Sequence, residues 1–466
     1  MRKILLILIC CSSQIFAQKQ PNILFILADD LGINALNCYG NNLVSSPNID
    51  KLFNEGMHFT NGYSNDPTCA PSRASIITGQ YVPRHGIYRV ADRYKSDPKT
   101  LKAMKYLPPK NHIIPGFGVG VSPDKVFLPE ALKANGYRTA GFGKWHVAKG
   151  KSPSSIPAKF DEGFEIAGHY KFRSDPVQKV ADTVYSSDYI TQKGIDFIHR
   201  MTEQHQPFFL YMPYYLVHKP LEPKQSYVDL LKAKLKQEKL STEEIKVLAM
   251  IMSLDENVGQ LMQVLKEKGI EENTIIVFTS DNGHYKTKNS NMFSKPYRGN
   301  KGETLEGGIR VPYIFKWKDH IKAKSVSKAP IIHVDIYPTL LGLTNSKQPN
   351  ETLDGEDLSP LLLGKKDHTN RKVLAWEYTN YARWNAKEKS FVSSWVNVIQ
   401  KDGFKLTENV ETDAVILYNL NTDPYETKEC ASEYPKVVAD LKNELAIWKT
   451  TTGYTTPKKN QDFISK

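Results

Sequence analysis

Two apolar runs in this 466-residue chain end on acidic residues. Residues 23–28 lead into Asp29-Asp30, and residues 275–280 lead into Asp281-Asn282-Gly283. Runs without polar alternation suit strands buried on both faces of a sheet. In open α/β sheets, ligands bind beyond the carboxyl ends of the strands. If the two runs are parallel neighbours, three carboxylates and an amide meet at one point. Like charges so crowded need a cation, and oxygen-only ligands favour a hard divalent ion, Ca2+ or Mg2+. The plainer alternative has each acid capping the turn that follows it. Two matching strand ends favour the metal.

The stretch PTCAPSRASIITG, residues 67–79, adds Cys69 ahead of Pro71 and a helix-like run with Ile76 and Ile77 on its apolar side. A helix start offers unpaired N–H groups and partial positive charge. Arg73, four residues on, shares a face with Cys69. An anion there would meet N–H groups, a guanidinium and a metal ion, which suits sulfate or phosphate. The competing reading is a buried structural cysteine beside a solvent-facing arginine. Lys144 and His146 in GFGKWH, and His218 in VHKPL, follow strand-like runs. A lone histidine is more often structural than catalytic. RGNKGETLEGGIRVP brings Arg298, Lys301 and Arg310 into a glycine-rich loop, where Gly307-Gly308 can serve turn geometry alone.

Strands and helices must position these groups. SPNIDKLFNEG reads as a helix with Ser46 as cap, Pro47 at the first position and Gly56 as stop. LPEALKANGY repeats that grammar, and residues 226–268 look helical. PFFLYMPY and NTIIVFTSDNG read as buried strands, GIRVPYIFKW as a strand, and APIIHVDIYPTLLGL as a strand then a helix. The alternation predicts an α/β fold around a largely parallel sheet. Near residue 370 the chain turns to short aromatic and β-branched runs, an antiparallel pattern, closed by an amphipathic helix in YPKVVADLKNELAIWKTT.

Composition is globular, 40% hydrophobic and 11% aromatic. Residues 1–17 read as a secretory signal peptide, with Arg2 and Lys3 before a short apolar run and Ala17 as the cleavage residue. Lipidation at Cys10 or Cys11 ranks below simple secretion. Removing the signal lowers the formal net charge from +12 to +10. Such a surplus attracts polyanions, although dispersed surface lysine gives the same sum. No basic block or aromatic-basic stripe points to nucleic acid, and no later stretch is apolar enough to cross a bilayer. Three cysteines follow the signal, Cys38, Cys69 and Cys430, so at least one stays unpaired. A Cys38–Cys430 bridge is conceivable, with Cys69 as the odd one. The expected division is a catalytic domain over 18–370 and an α+β subdomain over 371–466.

Together these blocks resemble the type I sulfatases of the alkaline phosphatase-like superfamily. CAPSRASIITG is similar to the family's first signature and GYRTAGFGKWH to its second. ADDLG, SDNG, HKP and RGNKGETLEGGIRVP match further blocks in order, and LYNLNTDPYETKECA extends the likeness to nearly the whole chain. Phe142 stands where the family tends to have something smaller, which bears on packing.

The resemblance implies an alkaline phosphatase-like fold, with a large mixed, mostly parallel sheet flanked by helices and a small C-terminal antiparallel sheet with a helix. It implies that a maturation enzyme oxidises Cys69 to formylglycine, whose hydrate attacks sulfur. One Ca2+ would be held by Asp29, Asp30, Asp281, Asn282 and residue 69. Arg73, Lys144 and Lys301 would hold the sulfate oxygens. His218, with Lys301, would protonate the departing oxygen, and His146 would take a proton so that sulfate leaves. Two rivals are a phosphonate or phosphodiester hydrolase of the same superfamily and a sulfate-recognising protein without turnover. The intact Cys69, Lys144, His146, His218 and Lys301 set disfavours the latter. Export, basic charge and aromatic richness suit a sulfated polysaccharide, algal and ulvan among the candidates, or a glycosaminoglycan. Loops 89–126, 169–180, 284–297 and 378–390 are expected to shape the sugar subsites.

Overall fold

The computed structural model describes residues 20–90, 102, 104–114, 118–147, 159–175, 177, 179–287, 291–385 and 390–463. The expected signal peptide, Cys10 and Cys11 lie outside the described residues, as do parts of all four expected subsite loops.

In chain order the main strands are β1 (Asn22–Ala28), β2 (Met57–Phe59), β3 (Arg138–Gly143), β4 (Glu162–Ala167), β5 (Arg173–Asp175), β6 (Phe208–Pro213), β7 (Thr274–Ser280), β8 (Tyr313–Lys316) and β9 (Ser325–Ser327). These nine form one sheet in the order β9-β2-β8-β7-β1-β6-β3-β4-β5. The central block β7-β1-β6-β3-β4 is parallel, while β8 and β5 run antiparallel to their neighbours on it. The main helices are α1 (Pro47–Glu55), α2 (Cys69–Thr78), α3 (Leu128–Ala134), α4 (Ser186–Glu203), α5 (Gln225–Lys234), α6 (Thr242–Glu267), α7 (Ile336–Leu343) and α8 (Pro435–Thr452). The helical stretch read over 226–268 is thus two helices.

The unbroken apolar runs follow from burial on both faces. Leu24, Ile26 and Ala28 pack into one core with Ile276 and Phe278. Ile23, Phe25 and Leu27 pack into a second core with Ile275 and Val277 on the opposite face. Each fully buried side chain of this size contributes about 1.5–3 kcal/mol, which outweighs any preference for polar alternation. Ser46 precedes α1 but its hydroxyl donates to Asp50 Oδ1 (3.0 Å) instead of capping the backbone.

A second sheet follows, antiparallel, with β10 (Leu374–Asn385), β11 (Ser390–Lys401), β12 (Phe404–Asn409) and β13 (Val415–Asn419) in sequential order. Helix α8 packs on it through Leu441, Leu445 and Trp448. A buried ionic cluster joins this sheet to the rest: Lys405 Nζ lies 3.0 Å from Glu306 Oε1 and 2.9 Å from Glu426 Oε1, and Arg310 Nε lies 2.7 Å from Glu306 Oε2. The architecture is the large mixed sheet flanked by helices, with a small C-terminal antiparallel sheet and helix, expected above. The Cys38–Cys430 bridge does not form; Cys38, Cys69 and Cys430 are all free thiols. Cys38 lies beside α1, its backbone N–H bonded to Asp50, whereas Cys430 belongs to the core of the second sheet.

Candidate active site

Register decides the site. Ala28 pairs with Ser280 across β1 and β7, so the next residues, Asp29 and Asp281, leave the sheet side by side. On the other flank Leu27 pairs with Pro213 of β6, and the Lys144 N–H bonds the Pro213 carbonyl at 2.7 Å. Four parallel strands therefore deliver Asp29-Asp30, Asp281-Asn282, Lys144–His146 and the segment reaching His218 to one edge. Gly143 makes the last step possible. Its φ is +139°, and a Cβ there would lie 2.0 Å from the Pro213 carbonyl oxygen.

Helix α2 brings Cys69 to the same edge. All ten of its residues are buried, so no face of it meets solvent. Ser72 pins it: the hydroxyl is 2.5 Å from the Asp281 carbonyl and 2.8 Å from His333 Nδ1. The Cys69 Sγ lies 3.4 Å from Asp29 Oδ1, 3.8 Å from Asp30 Oδ1 and 3.2 Å from Lys301 Nζ. Burial pushes its thiol pKa up, against the pull of Lys144 and Lys301. This cysteine is not a ready thiolate.

Charges interleave around that sulfur. Lys144 Nζ is 2.5 Å from Asp29 Oδ2, and Lys301 Nζ is 2.7 Å from Asp30 Oδ1. Burial alone would raise the Asp29 carboxyl, but Lys144, His218, Arg73 and Lys301 hold it well below the usual carboxylate range. Asp30 is likewise lowered, burial being outweighed chiefly by Lys301. Asn282 Nδ2 donates to Asp30 Oδ1 (2.7 Å), while its Oδ1 is buried with no hydrogen bond among the described residues. Asp29, Asp30, Cys69 and His218 present ligand atoms all within 4.8 Å of one another.

Arg73 is not the solvent-facing residue of the plainer sequence reading. It is 0% exposed. Its Nε donates to Asp281 Oδ2 (2.7 Å) and its Nη1 to the Lys144 carbonyl (2.6 Å). The guanidinium ties three of the converging segments together, and its Nη2, 3.7 Å from Asp29 Oδ2, makes no hydrogen bond among the described residues.

The histidines are set differently from one another. His146 sits at φ +57° with its backbone N–H on Glu165 Oε1 (2.9 Å). Burial and then Lys144 and Arg73 push its pKa well below the ordinary value, so the imidazole is neutral. Its Nδ1 makes no hydrogen bond among the described residues. His218 Nδ1 donates to the Lys219 carbonyl (2.5 Å), leaving Nε2 3.8 Å from Asp30 Oδ2. Side-chain exposure falls from His218 (26%) and Lys301 (20%) to Lys144 (6%) and Asp30 (2%), which defines the way in.

Two of the three basic residues in the glycine-rich loop go elsewhere. Arg298 Nη1 donates to the Glu426 carbonyl (2.8 Å), and Arg310 pairs with Glu306. Lys301 alone enters the site, its loop held by bonds from Lys301 N–H to the His284 carbonyl (2.8 Å) and Gly302 N–H to the Pro67 carbonyl (2.9 Å). Ser72, His284 and His333 were not singled out from the sequence. His284 Nδ1 donates to the Asp30 carbonyl (2.6 Å), holding Asp30 at φ +60°. The S of C-A-P-S-R was the one available signal for Ser72.

A family model described as Sulfatase matches residues 21–346, and one described as N-sulphoglucosamine sulphohydrolase, C-terminal, matches residues 300–451. The chain is 31% identical to human arylsulfatase A over 77% of this chain and 71% of that protein. It is 29% identical to human N-acetylgalactosamine-6-sulfatase over 94% and 85% of the two. The crystal structure of Ps i-CgsB in complex with k-i-k-neocarrahexaose is similar with a TM-score of 0.77 and 25% identity, covering 93% of this chain and 94% of that one. With a family match over more than two thirds of its length, this chain belongs to the sulfatases, sulfuric ester hydrolases of the alkaline phosphatase-like superfamily.

Proposed function

We propose that this sulfatase hydrolyses sulfate esters on a sulfated polysaccharide or its oligosaccharides, with one Ca2+ and a formylglycine made from Cys69 by a maturation enzyme. The observation that carries the reading is the convergence of four strand ends on the Cys69 sulfur, with two carboxylates and two ammonium groups around it.

The donor set fits a hard cation. Asp29 and Asp30 are buried, ionised and aimed at one point beside Cys69, and Asn282 Oδ1 is buried without a partner among the described residues. Lys301 and Lys144 occupy the positions from which positive charge neutralises those acids. Asp29, Asp30, Asp281, Asn282 and residue 69 would hold Ca2+, which supplies positive charge where sulfate oxygens gather. Formylglycine at residue 69 would supply, as its hydrate, the attacking oxygen.

The chain's own side chains do the rest. Lys144 and Lys301 border the sulfur and hold the sulfate oxygens. Arg73 orients Asp29, Asp281 and the Lys144 segment through Nε and Nη1, and its uncommitted Nη2 is the atom that would meet a sulfate oxygen. His146, neutral with Nδ1 uncommitted, takes a proton from residue 69. His218, at the entrance with Nε2 turned inward and Nδ1–H held by the Lys219 carbonyl, gives a proton to the leaving oxygen only from its doubly protonated form, with the Lys301 ammonium beside it as the second proton source.

A relative named N-acetylgalactosamine-6-sulfatase and a neighbour solved with a neocarrahexaose support a saccharide substrate. Net positive charge favours a polyanionic one. We place ulvan and other algal polysaccharides first and glycosaminoglycans second. The leading apolar run supports export, to the periplasm or beyond the cell, and no described helix is long and apolar enough to cross a membrane. We assign residues 18–370 to catalysis and 371–466 to a supporting subdomain. Desulfation of a panel of defined sulfated oligosaccharides, followed by NMR, tests the substrate. Desulfation of none, with turnover of aryl phosphates or phosphonates instead, would overturn the reading.

A further inference from the structure

Glu377, Thr379, Trp395 and Asn397 share one face of the C-terminal sheet. Glu377 pairs with Asn397 across β10 and β11, and Thr379 pairs with Trp395. Directly opposed residues of an antiparallel pair point to the same side. None of the four is more than 1% exposed. Among the described residues the Glu377 carboxylate meets only the Trp395 indole, and Thr379 Oγ1 and Asn397 Oδ1 make no hydrogen bond. The other end of the Asn397 amide is committed. Its Nδ2 donates to Glu408 Oε2 (3.0 Å) and to Tyr454 OH (3.2 Å), which leaves Oδ1 turned away from both.

Among the described residues, the ammonium group nearest this face is already paired. Lys449 Nζ lies 2.5 Å from Glu408 Oε2. The Trp395 indole borders the Glu377 carboxyl but carries no charge. Burial drives that carboxyl well above its usual range, with only Trp395 and Lys449 opposing it. A buried polar atom left without a partner destabilises the fold, and Thr379 Oγ1 and Asn397 Oδ1 are in that condition beside a buried carboxylate. Oxygen donors select hard cations. A single carboxylate with a hydroxyl and an amide oxygen is balanced by one positive charge. A cavity of about 700 Å³ is lined in part by Asn397, Glu408, Lys449 and Tyr454, on the Asn397 side of this face.

We propose that Glu377, Thr379 Oγ1 and Asn397 Oδ1 bind a monovalent cation, sodium, between the β10–β11 face and helix α8. The site is distinct from the Asp29–Asp30–Cys69 cluster and takes no part in the chemistry. It braces β10 against β11 beneath the C-terminal helix.

Thermal melts in NaCl and in N-methyl-D-glucamine chloride at matched ionic strength, with Ca2+ held saturating, test this. The wild type is expected to melt higher in sodium, by about 1–2 °C, and saturably. Glu377→Gln should lose the difference between the two salts. Thr379→Val keeps the charge and removes one ligand, so it should need more sodium for the same gain. A thallium soak should give an anomalous peak between the Glu377 and Asn397 side chains. Equal melting of the wild type in both salts would overturn the proposal, with Glu377 then a protonated acid among internal waters. So would a sodium effect of unchanged size and midpoint in Thr379→Val, should Glu377→Gln fail to fold.

Discussion

Cys69 Sγ lies 3.2 Å from Lys301 Nζ, although 232 positions separate them. The same ammonium group is 2.7 Å from Asp30 Oδ1. One flexible side chain, partly open to solvent, thus touches both the reacting position and a proposed metal ligand. Lys301→Ala should leave the fold intact and lower kcat on an aryl sulfate by about 100–1,000-fold, the cost of losing one positioned charge-stabilising group. Stopped assays with matched melting curves check this; a kcat near wild type would remove Lys301 from the site.

Lys144 and Lys301 already compensate Asp29 and Asp30. Calcium removal should therefore weaken the protein without unfolding it. Dialysis against EGTA should abolish turnover and lower Tm by a few degrees, and added Ca2+ should restore both. Asp281→Asn should raise the Ca2+ needed for the Tm gain by about 10–100-fold. A Tm indifferent to Ca2+ in the wild type would argue against the metal.

Protonation of His146 should switch the enzyme off only in acid. Burial, Lys144 and Arg73 lower its pKa, so the proton-accepting form persists as pH falls below 6.5. The acid limb of kcat/KM against pH should lie well below that value, and His146→Ala should lower the plateau rather than move the limb upward. A limb at or above pH 6.5 would assign the base elsewhere.

Lys405 serves two acids at once. Lys405→Met leaves Glu306 and Glu426 buried without their shared cation, and breaking such a pairing costs about 3–5 kcal/mol. Urea denaturation should show that loss, while kcat of the folded fraction stays unchanged. An unaltered midpoint would mean that Arg310 suffices for both acids.

Much of this was legible in the sequence because burial on both faces forces continuous apolar runs. Residues 23–28 and 275–280 could be read as parallel partners, and their acidic endings then had to meet. Arg298 and Arg310 were not separable from Lys301 by type. Which of them turned towards the acids depended on where Glu306, Glu426 and the second sheet lay, a long-range matter. Helical spacing gives Arg73 a face shared with Cys69 but not its depth, so its bonds to Asp281 and the Lys144 carbonyl leave no mark in the sequence. Ser72, His284 and His333 act through backbone carbonyls, and carbonyl positions leave no mark in residue types. The positive φ of Asp30 and His146 is equally silent, since both are residue types free to occupy many conformations.

The most direct test is a mass spectrum of the peptide carrying residue 69, taken from a preparation of measured full activity on an aryl sulfate. The aldehyde form of residue 69, trapped by a hydrazide reagent in proportion to activity, is the predicted result. Full activity with only unmodified cysteine at that position would contradict the account.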